Sequence, residues 1–152
     1  MRTPMVVANW KMHGRLAEAR ELAQAVRDGL KRPRGVEVAI CPPFTALAAV
    51  AEVLAGSPLM LGAQNCHWEE SGAFTGEVSA GMLADVACQY VIVGHYERRA
   101  LFNDTDERVA GKVLAVLRAG LAPILCVGET MAERDAGQTL PVVRRQLDTA
   151  FK

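Results

Sequence analysis

The chain has 152 residues, 51% of them hydrophobic and 22% charged. That is one domain's worth of sequence, apolar enough for a substantial core and too apolar for disorder. Seventeen basic residues cancel seventeen acidic ones, which excludes nucleic acid as the main partner and excludes electrostatic attachment to an anionic membrane, since both need a basic surplus.

The start, MRTPMVVANW, holds only a four-residue apolar run, Met5 to Ala8, before Asn9, Trp10 and Lys11 interrupt it. This is too short for a signal peptide's apolar region, and no run approaches the roughly 18 residues of a membrane span. The expectation is a cytoplasmic protein. In chain order, five apolar runs predict strands: Met5–Ala8, Val36–Ile40, Leu59–Leu61, Tyr90–Val93 and Leu121–Val127. They are nearly continuous and often β-branched, which fits parallel strands covered on both faces. Between them lie stretches of helical period. Leu16, Ala19, Leu22, Val26 and Leu30 form one apolar stripe. Ala46 to Leu54 is Ala-rich and strongly helix-forming. Asp106 to Ala119 carries Val109, Val113, Val116 and Leu117 on one side. A last helix, expected to be capped by Thr139, repeats Leu140, Val143, Leu147 and Phe151.

Strand and helix alternating at roughly 30-residue spacing is a run of βαβ units with right-handed crossovers. No G-x-G-x-x-G follows an early strand and no G-x-x-x-x-G-K-[ST] is present, so a doubly wound nucleotide fold is disfavoured. A (β/α) barrel remains, and barrels carry their chemistry at the carboxyl ends of the strands. The four cysteines, Cys41, Cys66, Cys88 and Cys126, form no CxxC pair. They read as small buried hydrophobes in a reducing compartment, and no metal site is signalled.

The strand ends supply the candidates. Asn9, Trp10, Lys11, Met12 and His13 follow the first strand. Gln64, Asn65, Cys66 and His67 follow the third. Gly94, His95, Tyr96, Glu97, Arg98 and Arg99 follow the fourth, and Gly128 and Glu129 the fifth. Singly, a lysine after a strand reads as a solvated charge and a histidine as a structural one. Together, Asn9, Lys11, His95 and Glu97 on one rim suit a carbonyl whose oxygen gains negative charge, with lysine and uncharged imidazole as electrophiles. An imidazole that opens a helix has its cationic form disfavoured by the amide dipoles.

The segments ANWKMHG, CPPFTAL, GAQNCHWEESGAFTGEVSAGML, YVIVGHYERR and CVGET resemble, in order and spacing, the N-terminal part of the triosephosphate isomerase family. The likeness runs from Met5 to Lys152. It implies an α/β fold: an incomplete (β/α)8 TIM barrel of about five parallel strands, one domain over residues 1–152. It further implies interconversion of dihydroxyacetone phosphate and glyceraldehyde 3-phosphate, in glycolysis and gluconeogenesis, with neither metal nor organic cofactor. On the matching motifs, Asn9 and Lys11 would contact substrate, His95 would be the neutral electrophile, and Glu97 would orient the cluster. The loop Trp68 to Glu77, with Phe74, Thr75 and Gly76 at its tip, resembles the arm that enters a neighbouring subunit. Ser79 would start the helix after it. Two residues depart from the family pattern: Tyr96 stands where VGHSERR has Ser, and His13 where Asn is usual.

A complete barrel needs about 250 residues and eight strands; this sequence supplies five. The family's later motifs, carrying the glutamate base, the lid and the phosphate-binding turns, have no counterpart among these residues. Three expectations follow. The chain alone is catalytically incompetent. It self-associates as a homo-oligomer or pairs with a C-terminal half of the same barrel. It binds triose phosphate only when the site is completed.

Overall fold

A computed structural model describes residues 3–30 and 35–152. Five strands, β1 (Met5–Asn9), β2 (Glu37–Cys41), β3 (Met60–Ala63), β4 (Tyr90–Val93) and β5 (Ala122–Leu125), form one sheet in sequence order. Every neighbouring pair is parallel, from Met5 opposite Glu37 to Val93 opposite Leu125. All carboxyl ends therefore lie along one rim, as the alternation of strands and helices predicts. Val91, Val93, Ala39 and Ile40 are fully buried, as expected of strands covered on both faces.

The helices are α1 (Leu16–Gly29), α2 (Leu47–Leu54, after a 3-10 turn at Phe44–Ala46), α3 (Ala80–Asp85), α4 (Tyr96–Phe102), α5 (Asp106–Arg118), α6 (Met131–Asp135) and α7 (Thr139–Ala150). The core runs between the sheet and this helical layer, through Ile40, Val50, Leu83, Val91, Val113 and Val116. Helix α5 buries Val109, Val113 and Val116 as its period requires, while Leu117 turns outward.

Three details differ from the sequence reading. Thr139 does not cap α7: Gln138 holds the cap position, and the Thr139 hydroxyl donates to Glu129 Oε1 at 3.1 Å. The stripe Leu140–Val143–Leu147–Phe151 does not face the core either. Helix α7 instead buries Val142, Gln146 and Ala150, because the Gln146 amide grips both the N–H and the C=O of Gly128, at 2.8 and 3.0 Å, and sets the helix's rotation. Helix α1 likewise buries Ala19 and Ala23 and leaves Leu16, Leu22 and Leu30 exposed. Small residues allow its close approach to α2, which Arg20–Glu52 and Arg27–Val53 C=O contacts secure. Both end helices thus turn apolar side chains away from the core that the described residues form.

The cysteines are free, with Cys41, Cys66 and Cys88 buried and Cys126 partly so. No helix among the described residues is long and apolar enough to cross a membrane.

Candidate active site at the carboxyl rim

Helix α4 begins directly after β4, and His95 is its N-cap. The His95 Nδ1 lone pair accepts the N–H of Glu97 at 3.3 Å. A ring nitrogen that accepts carries no proton, so the neutral imidazole keeps its hydrogen on Nε2. That hydrogen is free for a ligand. The preceding Gly94 has φ of +71°, and a Cβ there would lie 2.9 Å from Val109 Cγ1 and 3.1 Å from the Cys126 carbonyl oxygen. Only glycine lets the strand turn so tightly into the helix.

Lys11 arrives from the end of β1. Its φ is +54°, a left-handed conformation costing a non-glycine residue roughly 1–2 kcal/mol. The Asn9 side chain stabilises it by accepting the Lys11 N–H at 3.0 Å. From this backbone the ammonium reaches Glu97, with Nζ 2.8 Å from Oε1. The hydrogen bond from Lys11 holds the Glu97 carboxyl below the ordinary glutamate range. Desolvation opposes this and is overcome, with the Lys11 charge, and His95 when protonated, adding to the lowering. Paired in this way, the Glu97 carboxylate is a weaker base than a free glutamate.

Asn9, Lys11, His95 and Glu97, the four rim candidates, line one cleft of about 380 Å³. A second hollow of about 470 Å³ lies on the other side of His95, bounded by Tyr96, Cys126 and Glu129. Tyr96 is the first residue of α4 and is mostly exposed. His13 lies apart from both hollows, beside Trp10 and Leu22. Glu129 faces Arg134 and Thr139. Its carboxyl also lies below the ordinary range, by backbone hydrogen bonding first and Arg134 second, with desolvation opposing.

Of the residues that fix α4, Asn65, Arg98 and Arg99 stand at strand ends in the sequence, whereas Asp104 and Lys112 were not recognisable there. Arg98 Nε donates to Asp104 Oδ2 at 3.0 Å; Lys112 Nζ lies 2.7 Å from both Asp104 oxygens and 2.9 Å from Asn65 Oδ1. Burial pulls the Lys112 ammonium below its usual range, and pairing with Asp104 opposes that. The available signal was positional: Lys112 sits on the Val109–Val113–Val116 face, where a lysine must be paired to be buried. Arg99 ties the sheet to the helices, donating to the Gly94 and Cys126 carbonyls and to Asp106.

The arm is folded on itself. His67 N–H donates to Val78 C=O at 2.8 Å, and the rings of His67 and Phe74 lie 4.3 Å apart. Phe74, Thr75 and Gly76 are exposed at its tip, away from the four rim residues.

The family model for triosephosphate isomerase matches residues 4–152. Triosephosphate isomerase of Moorella thermoacetica is 51% identical over 152 residues, covering 100% of this chain and 61% of that protein. The enzyme of Symbiobacterium thermophilum is 58% identical over 150 residues, covering 97% and 57%. A crystal structure of triosephosphate isomerase from Bartonella henselae superposes with a TM-score of 0.94 at 39% identity, covering 99% of this chain and 62% of that one. The chain thus spans about three fifths of the length of the curated relatives it matches.

Proposed function

The chain belongs to the triosephosphate isomerase family and corresponds to its N-terminal portion; from that premise we propose that it supplies the carbonyl-polarising half of an isomerase acting on dihydroxyacetone phosphate and glyceraldehyde 3-phosphate. The observation that carries this is the His95 cap. Because Nδ1 is committed to the Glu97 N–H, Nε2–H is left to donate to a substrate carbonyl oxygen. When a base removes a proton from the adjacent carbon, that oxygen becomes anionic, and His95 and the Lys11 charge stabilise it. Asn9 holds the Lys11 backbone, and Glu97 holds its ammonium.

The base itself comes from outside these 152 residues. Glu97 is the carboxylate lining this cleft, and its ion pair with Lys11 makes it a weaker base than a free glutamate. The remaining two fifths of the fold supply the base, and the polypeptide of residues 1–152 does not turn over substrate on its own. A coupled isomerase assay on the purified chain, with and without a separate polypeptide spanning the rest of a relative's barrel, tests this. No turnover alone and turnover on mixing is the expected result; activity of the chain alone, or a stable mixed complex without activity, contradicts it.

A second reading, self-assembly without catalysis, is favoured by the exposed apolar residues of α1 and α7 and by the edge strands β1 and β5. Bare edges and apolar surface promote association. The unit expected in solution is a homo-oligomer in which the tip at Phe74, Thr75 and Gly76 contacts a second copy. Light scattering distinguishes this from a compact 16.4 kDa monomer, which would sink it. Three buried free thiols suit a reducing compartment, the cytoplasm, where glycolysis and gluconeogenesis run.

A further inference from the structure

We infer that Gln64 is a positioning residue for Lys11: its side-chain amide locks the left-handed backbone that aims the ammonium at Glu97. This rests on the reading of Lys11 as the cation of the site. Gln64 follows the last residue of β3. Its Nε2 donates to the Lys11 carbonyl oxygen at 2.8 Å and to the Cys41 carbonyl oxygen, also at 2.8 Å. Both amide hydrogens are thereby used. Cys41 is the last residue of β2, and its carbonyl also accepts the Trp10 N–H at 3.1 Å. One side chain therefore joins the ends of three adjacent strands.

The consequence for Lys11 follows from its two peptide planes. The plane before it is held through its N–H by Asn9, and the plane after it through its C=O by Gln64. Together they fix a φ of +54°. Freed from these bonds, a lysine relaxes to negative φ, a rotation of about 120°. That rotation swings Cβ, and with it the four-carbon stem, off the line to Glu97. Asn9 alone leaves the carbonyl side of Lys11 unrestrained.

The chemistry also selects glutamine. A glutamate at this position would set a carboxylate against two carbonyl oxygens with no hydrogen to share. A methionine has the same reach and no donor. A simple brace between strands would explain the Cys41 contact, but it would leave the Lys11–Glu97 pair indifferent to residue 64.

The Glu97 carboxyl reports the pair directly, since the Lys11 hydrogen bond is the chief cause of its lowering and His95 adds to it only when protonated. The test uses the full 152-residue chain labelled with carbon-13 at glutamate side chains, followed by NMR titration. It does not depend on turnover, so failure of the isomerase reading leaves it intact. In the unsubstituted chain Glu97 titrates below the ordinary glutamate range. Lys11→Met raises it to the ordinary glutamate range, and Gln64→Met raises it likewise while far-ultraviolet circular dichroism is unchanged. A Glu97 that stays low in Gln64→Met, or one that is ordinary in the unsubstituted chain, overturns the proposal. Should Gln64→Met unfold the protein, hydrogen exchange of the Gln64 side-chain amide in the unsubstituted chain decides. Slow exchange supports the clamp, and exchange as fast as in a free glutamine contradicts it.

Discussion

Gly94 shows how tightly the residue scale constrains the site. Alanine there would need a positive φ and would press Cβ against Val109, Arg99 and a backbone carbonyl. Adding the left-handed penalty to the overpacking penalty gives a loss on the order of 3 kcal/mol for Gly94→Ala, measurable by urea unfolding. The thiols make a second residue-scale prediction. Burial pushes Cys41 and Cys88 up to about 12 and Cys66 up to about 11, and raises Cys126 as well. A thiol-specific reagent at pH 8 should therefore modify Cys126 first, being only partly buried, and reach the other three only on unfolding. Asn9, Lys11, His95 and Glu97 were legible in the sequence because strand ends can be read from apolar runs, and polar residues there share a rim. Gln64 and Lys112 were not legible as positioning groups. Their roles depend on carbonyls and carboxylates brought near from 8 to 53 residues away.

At the scale of elements, apolar runs located the five strands, and helical period or Ala content the four longest helices, but not which face each helix turns inward. The stripe on α5 pointed correctly because α5 packs on β4, β5 and α7. The stripe on α7 did not, and the one on α1 did so only at Ala19 and Val26, because a stripe records where apolar residues lie and not whether a neighbour is present to cover them. Short helices such as α4 and α6 carry too few residues for a period; Ser79, which the family resemblance set at the start of a helix, is the N-cap of α3. Helix α5 offers the cleanest test of such a cap. The Thr105 hydroxyl accepts the Arg108 N–H at 3.3 Å, so Thr105→Ala should cost about 1 kcal/mol in urea unfolding. Asp106 joins α4 and α7 to this helix through Arg99 and Arg145. Burial raises its carboxyl, but the two arginines outweigh that and leave it below the ordinary range. Its contribution to stability is therefore full above the unfolded aspartate range and is lost as pH falls through the lower folded value. Asp106→Asn should flatten the acid limb of the stability profile.

At the scale of the whole fold, the described residues form part of a barrel wall, with β1 and β5 at the two ends of the sheet and apolar side chains of α1 and α7 turned outward. The buried thiols set its alkaline limit. Below pH 9 they are protonated whether the chain is folded or not; above it the unfolded chain ionises first, so stability should fall steadily from about pH 9 toward 12. Thermal unfolding across that range, with Cys41→Ser and Cys88→Ser as comparisons, checks the attribution. The fold class was legible at this scale because strand and helix alternate in order along the chain. On the function proposed above, the rim's cation, anion and imidazole are what this portion brings to a complete site. The most direct test is turnover by the chain mixed with a polypeptide supplying the rest of the barrel, compared with the same mixture carrying His95→Gln. The account predicts a rate lower by roughly 10²–10⁴ with His95→Gln at equal complex formation; rates within about twofold of each other would contradict it.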